Sequence, residues 1–283
     1  MFTVGSGNGL SENVAAMHDS LIQSRVDGML LHVTINRPQK RNALTPQMVE
    51  DLAAAIAGAD DDRSVRAVIV SAEGPVFSAG IDLMSLAETQ GAAQQLGIGR
   101  WTRRFARRLQ DALDRIEATE VPVIGALHGQ VLGLGLELAL SFDLRVAAAD
   151  LTLSIPESRL GLVADVGGTT RLARTVGPSR AKDLLLTARS IDATEALQWG
   201  LVNRVVPPAE VVSSAVALGQ QIAQNAPLAV GMAKLLVDQG DGLDKHSQMA
   251  LERWAQSQLL STADVQEAIL AFVQKRPPNF KGF

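Results

Sequence analysis

No cysteine and no tyrosine occur among the 283 residues, and aromatic side chains make up only 4% of the chain. The first absence excludes disulfides, thiolate nucleophiles and cysteine-based metal sites, and fits a reducing compartment. The second removes the stacking platform that sugar-binding sites use, which disfavours a glycosidase even where carboxylates pair. There is no basic excess either: the formal net charge is −4. A nucleic-acid partner would call for a basic surface, so none is expected. The uncharged, strongly apolar run Val121 to Leu136 is shorter than a membrane helix needs and is broken by Pro122, Gly125, Gly129, Gly133 and Gly135. The opening "MFTVGSGNGLSENVAAMHDS" has no basic segment followed by an apolar core. It does not read as a secretory signal, so a soluble, cytoplasmic protein is expected.

What is present reads as α/β. Residues 1–24, rich in Gly, Ser and Asn, are expected to be a mobile leader. In "MLLHVTINRP", Leu31, Val33 and Ile35 alternate with polar residues, which predicts a half-buried strand ended by Pro38. Thr45 and Pro46 then predict a helix start, with Met48, Leu52, Ala55 and Ile56 as its buried stripe. "VRAVIVSAEG", "TEVPVIGALHG" and "DLRVAAAD" are further strands, nearly continuous in apolar residues, as in a sheet covered on both faces. A long amphipathic helix is predicted from about Leu96 to Ala118. Its arginines (Arg100, Arg103, Arg104, Arg107 and Arg108) are expected to form a solvated face paired with Asp111, Asp114 and Glu117. After Pro207 and Pro208 only helical patterns remain. The expected organisation is therefore an α/β core over 25–208 and a helical region over 209–283.

The run "LGLGLELAL" holds Glu137, the only formally charged residue between Glu120 and Asp143. A buried carboxylate is costly unless it is paired, hydrogen-bonded or protonated. A second carboxylate, Glu157 in "SIPESRLGL", follows 20 residues later. Pro156 argues against a helix just before it, which puts Glu157 at a turn. A helix, a strand and a return turn would bring the two acids to one end of a sheet. In an apolar cleft at least one would then hold its proton near neutral pH, as acid–base chemistry requires. Periodicity alone leaves a surface charge or a buried salt bridge as equal readings. "GLGLEL" also imitates a dinucleotide fingerprint, but Leu138 stands where its third glycine belongs.

The segments "TINRPQKRNALTPQM", "VFSAGIDLMSL", "VPVIGALHGQVLGLGLELALSFDLRVAA", "SIPESRLGLVADVGGTTRL", "LLLTARSIDATEALQWGLVNRVVP" and "FVQKRPPNFKGF" occur in this order. In order and spacing the sequence resembles the enoyl-CoA hydratase/isomerase (crotonase) superfamily from about Met29 to Phe283. The resemblance implies a crotonase-like spiral of ββα repeats with a C-terminal helical trimerisation region. It further implies an acyl-CoA thioester substrate, no metal or redox cofactor, and a homo-trimer or a hexamer built as a dimer of trimers.

The resemblance also assigns residues. The backbone N–H groups of Ile81 and Leu134 would form an oxyanion hole for the thioester oxygen. Many relatives have glycine at the position of Leu134, so its side chain must find room. Glu137 and Glu157 would be the catalytic pair, one activating water for C3 and the other exchanging the C2 proton. Asp165 stands where many hydratases have glycine and where the dienoyl-CoA isomerase branch has an acid. A helix N-cap is its structural alternative. Arg37, Lys40, Ala79 and Lys275 match CoA-binding positions. Met84 replaces a lysine found in some hydratases. His128 is expected to be structural. Three functions follow: a hydratase is favoured, a double-bond isomerase using Glu157 and Asp165 is second, and an acyl-CoA binder without turnover is third.

Overall fold

The computed structural model describes residues 20–283, apart from residues 89 and 241 and the side chains of residues 88, 90 and 92. The expected leader falls outside the described residues up to residue 19. Its last positions, 22–24, instead open the first strand.

Among the described residues nine strands follow in chain order: β1 (Ile22–Asp27), β2 (Leu30–Ile35), β3 (Ala67–Ala72), β4 (Val123–Leu127), β5 (Gln130–Leu132), β6 (Leu144–Ala148), β7 (Thr152–Ser154), β8 (Ser190–Asp192) and β9 (Arg204–Val206). Six make one sheet in the order β1-β2-β3-β4-β6-β9, and three make a second in the order β5-β7-β8. The first sheet is parallel except for the β1–β2 hairpin. In the second, β5 and β7 are parallel and β8 is antiparallel to β7. The chain twice steps from the large sheet to the small one, β4 to β5 and β6 to β7. That alternation winds the repeats into a spiral.

Helices fill the connections: α1 (Pro46–Ala57), α2 (Leu83–Glu88), α3 (Gln90–Leu96), α4 (Ile98–Ala118), α5 (Leu134–Ala139), α6 (Gly168–Val176), α7 (Pro178–Thr187) and α8 (Ala193–Gln198). Beyond β9 come α9 (Val211–Ala223), α10 (Pro227–Gly240), α11 (Lys245–Leu259) and α12 (Ala263–Gln274). The Thr45 side chain accepts from Met48 N–H at the start of α1, a cap worth about 1 kcal/mol. The stripe of α1 turns out to be Met48, Val49, Leu52, Ala53 and Ile56, with Ala55 only partly buried. Long α4 buries Ala106, Leu109, Ala112, Leu113 and Ile116, which are three or four residues apart and share one face.

The large sheet is covered on both sides, as its apolar strands predict. Val68 and Val70 of β3 face the main core, while Ala67 and Ile69 face a second one. That second core reaches past the expected boundary at residue 209. Val211, Ala215 and Leu218 of α9 pack on Leu30, Ala67, Ile69 and Ile124, so α9 closes the outer face of the sheet. Its apolar stripe looks like those of the helices after it, and only the partner surface distinguishes it. Among the described residues no helix is long and apolar enough to cross a membrane.

Candidate active site

Gly133, with φ +49°, ends β5 and starts α5. A six-residue helix does not hold itself together in water. All of α5 is buried, so packing fixes it. At its far end the buried Arg145 donates to the carbonyls of Phe142 at 2.5 Å and Leu201 at 2.7 Å. Sequence reasoning missed this arginine, since its position inside β6 gives no sign that its head group turns back to a helix end.

Glu137 lies on this helix with only 2% of its surface exposed. Its Oε1 accepts from Val166 N–H at 2.9 Å and Gly168 N–H at 2.8 Å. Burial nevertheless pushes its carboxyl up to about 7, against those two hydrogen bonds and with help from the negative Glu157 and Asp165. Glu157 begins a short 3-10 turn, Glu157–Leu160, directly after Pro156. A Cβ on Gly133 would sit 2.5 Å from Glu157 Oε1, so this carboxylate lies against the turn that launches α5. Glu157 Oε2 is buried without a hydrogen-bond partner. Burial, with Asp165 nearby, raises this carboxyl as well. The structure thus brings the two glutamates together.

Asp165 joins the same group. It opens to solvent, and partial burial still raises its carboxyl. It is not the cap of the helix that follows: the cap position of α6 is Gly167, which has no side chain to offer. Glu137 takes the amide at that helix start instead. Leu160, Leu162 and Val163 lie between Glu157 and Asp165 as an exposed apolar run.

The two expected oxyanion donors sit on adjoining backbones. Ser78 N–H donates to Gln130 O at 3.1 Å and Leu132 N–H to Ser78 O at 3.0 Å, which docks the "SAGID" loop beside β5. A Cβ on Gly80 would lie 3.6 Å from Leu134 N. Leu134 is the first residue of α5, where a helix leaves its N–H groups without intrahelical partners. Its side chain is 3% exposed and belongs to the main core, which resolves how the leucine is accommodated. Ile81 is half-buried, bridged to Leu44 and packed on that core.

Asn42 was missed by sequence reasoning and organises this region. Its side chain accepts from Arg37 N–H and donates to Glu73 O and Val76 O, each at 2.8 Å. Its carbonyl accepts from Ser78 Oγ at 2.9 Å. No sequence signal marked it: what sets it apart is a positive φ of 52°, a backbone that Asn tolerates.

The CoA-binding expectations fare unequally. Arg37 is committed within the chain: its guanidinium pairs with Asp82 at 2.6 Å and donates to Ala43 O at 2.9 Å. It ties the "NRP" loop to the "SAGID" loop. Lys40 is exposed beside it. Ala79 N–H donates to Arg41 O at 2.9 Å in the same loop cluster. Lys275 is exposed at the end of α12 with φ 54°. His128 Nε2 lies 3.0 Å from Gly74 O, a structural contact as expected.

The arginine face of α4 pairs differently from its expectation. Arg107 does meet Asp111 at 2.7 Å, but Arg108 forks onto Glu50 of α1. Asp114 and Glu117 turn instead to Arg171 of α6. Among the described residues no group of three His, Asp or Glu side chains is placed to hold a metal.

Comparison with known proteins agrees with this geometry. Residues 25–282 match the family model described as Enoyl-CoA hydratase/isomerase. The chain is 37% identical to the short-chain-enoyl-CoA hydratase of Clostridium acetobutylicum, over 91% of this chain and 95% of that protein. It is 35% identical to the mitochondrial methylglutaconyl-CoA hydratase of Mus musculus, over 88% of this chain and 78% of that protein. Among solved structures, the enoyl-CoA hydratase from Bacillus anthracis superposes with a TM-score of 0.86 at 32% identity, covering 93% of this chain and all of that one. The spiral fold, the paired glutamates and these matches make the chain a member of the enoyl-CoA hydratase/isomerase family.

Proposed function

We propose that this enzyme hydrates a trans-2-enoyl-CoA thioester, adding water across the 2,3 double bond. The observation that carries the reading is the placement of Glu137 and Glu157 around the Gly133 turn, beside the N–H that begins α5. Two backbone N–H bonds favour the ionised form of Glu137, which suits it to take a proton from water as the oxygen attacks C3. Glu157 keeps a buried, unpartnered oxygen, which suits a proton donor to C2. The enolate charge formed between these events would rest on the thioester oxygen, stabilised by the N–H groups of Ile81 and Leu134. One base, one acid and two fixed donors complete the addition, with no redox or metal cofactor.

The exposed apolar run Leu160, Leu162 and Val163 suits an acyl chain, and Lys40 and Lys275 suit the phosphates of CoA. Apolar side chains exposed on α11 and α12, among them Trp254, Ile269, Phe272 and Val273, support assembly as a trimer or a dimer of trimers. A cytoplasmic location accords with the cysteine-free composition.

A second reading rests on Asp165. Since it does not cap α6, and its carboxyl is raised beside Glu157, the two acids could relay a proton along a dienoyl chain without adding water. One experiment separates the readings. The enzyme is incubated in heavy-oxygen water with a trans-2-enoyl-CoA and, separately, with a 3,5-dienoyl-CoA, and the products are weighed by mass spectrometry. Gain of one labelled water on the monoene is expected. An unlabelled 2,4-dienoyl product from the diene alone would transfer the assignment to an isomerase. Binding of both thioesters without turnover would leave an acyl-CoA binder.

A further inference from the structure

Arg171 has no part in the chemistry just described, yet it is among the most heavily bonded polar side chains of the chain. It is 8% exposed. Nε and Nη2 donate to the two oxygens of Glu117 at 2.9 and 2.8 Å, and Nη2 also meets Asp114 at 2.6 Å. Nη1 donates to Val166 O at 3.2 Å. The segment it grips supplies both amides that hold Glu137, Val166 N–H and Gly168 N–H. Between them Gly167 has φ +104°, and a Cβ there would collide with Arg171 Nη1, so the turn is shaped around the guanidinium.

The same helix that anchors Arg171 touches this turn a second time. Gln110 Nε2 donates to Asp165 O at 2.6 Å. Gln110, Asp114 and Glu117 are spaced four and three residues apart and so share one face of α4. The turn over 165–168 is therefore held from behind at two carbonyls, Asp165 O directly and Val166 O through Arg171. From these contacts we infer that Arg171, fixed on Glu117 and Asp114, is a positioning residue that sets the placement of Glu137 by clamping the turn between Asp165 and Gly168.

The inference rests on the hydratase reading for its kinetic test. Arg171→Met keeps the stem and removes the fork, so kcat should fall about 10- to 100-fold while KM stays within about threefold. The charged groups facing Glu137 are Glu157 and Asp165, and both raise its proton affinity. The two amide bonds oppose them. Loosening those bonds should move the acid limb of the kcat–pH profile to higher pH, and Arg171→Lys should move it part of the way back. Glu117→Gln should shift the limb in the same direction by less, and it carries the test if Arg171→Met does not fold. A kcat that falls only with the folded fraction, with the limb unmoved, overturns the inference. If the wild-type enzyme turns over no enoyl-CoA, the hydratase reading fails on its own. Amide exchange then decides: Val166 and Gly168 must exchange faster in Arg171→Met while Val33 does not, and unchanged exchange overturns the inference.

Discussion

Glu137 Oε1 lies 2.8 Å from the amide nitrogen of Gly168, so a carboxylate on one buried helix caps the start of another. The contact leaves no space for a side chain. A Cβ on Gly168 would fall 2.8 Å from that oxygen and 2.7 Å from Ala164 Cβ. Gly168→Ala should therefore displace Glu137. Turnover of a trans-2-enoyl-CoA is expected to drop at least 10-fold, with the melting temperature lowered by only a few degrees. A fully active Gly168→Ala enzyme would separate the cap from the chemistry.

Glutamine at either acid keeps the shape and removes proton transfer. Glu137→Gln and Glu157→Gln should each reduce kcat by about 10²- to 10⁴-fold. Both should retain the wild-type circular dichroism spectrum. Following the loss of conjugated-thioester absorbance measures the effect. Asp165→Asn serves as the contrast, since a hydratase should keep most of its activity with that change.

The raised carboxyl of Glu137 makes stability and activity respond oppositely to pH. Its folded value, about 7, lies above the ordinary 4.5. The folded state thus favours the protonated form. This contribution is complete below about pH 4.5 and is lost as pH rises through about 7. The proposed base acts in its ionised form, so activity should rise over the same interval. Glu137→Gln does not titrate, so relative to wild type it should gain on the order of 2 kcal/mol between pH 5 and pH 8. Urea unfolding of both proteins at the two pH values checks the sign.

Gly133 faces the other acid. Alanine there meets Glu157 Oε1 at 2.5 Å and must also adopt φ +49°. Gly133→Ala should cost more than 10-fold in kcat with little change in KM, because Glu157 is moved and the thioester loops are not.

The pair of Arg37 and Asp82 predicts the reverse pattern. It is largely shielded from water and joins the two loops that resemble CoA-binding segments. Asp82→Asn should raise KM for the CoA thioester several-fold and leave kcat within about twofold. Steady-state kinetics at saturating and limiting substrate distinguish the two parameters.

Much of the fold and half of the site were legible because their signals are local. Thr45 with Pro46 announces α1, and Leu31, Val33 and Ile35 announce β2 by alternation alone. Glu137 was visible as an isolated charge in an apolar run. The small sheet was not foreseen, since β5, β7 and β8 have three residues each and show no period. Which side chain meets which across the fold was equally hidden. Asp114 and Glu117 were expected to pair with arginines of their own helix, but none stands three or four residues from either, and they bond Arg171. Nothing local to Arg37 announced its partner Asp82, 45 residues away. Asp165 had the composition of a cap, and the cap came from Glu137 on another element.

The small sheet works as a ruler. Leu132 pairs with Ser154 across β5 and β7, and the chain reaches Gly133 one residue beyond the first and Glu157 three residues beyond the second. A slip of one residue in this pairing would slide Glu157 along its partner by about 3.3 Å, the length of a hydrogen bond. The distance between Glu137 and Glu157 is thus written in the alignment of two short strands. Length changes in the exposed turn at Ala149 and Asp150, between β6 and β7, fall outside that measure and should be absorbed by the chain. A single insertion between Thr152 and Glu157 should leave an intact spiral whose two carboxylates no longer meet the same substrate.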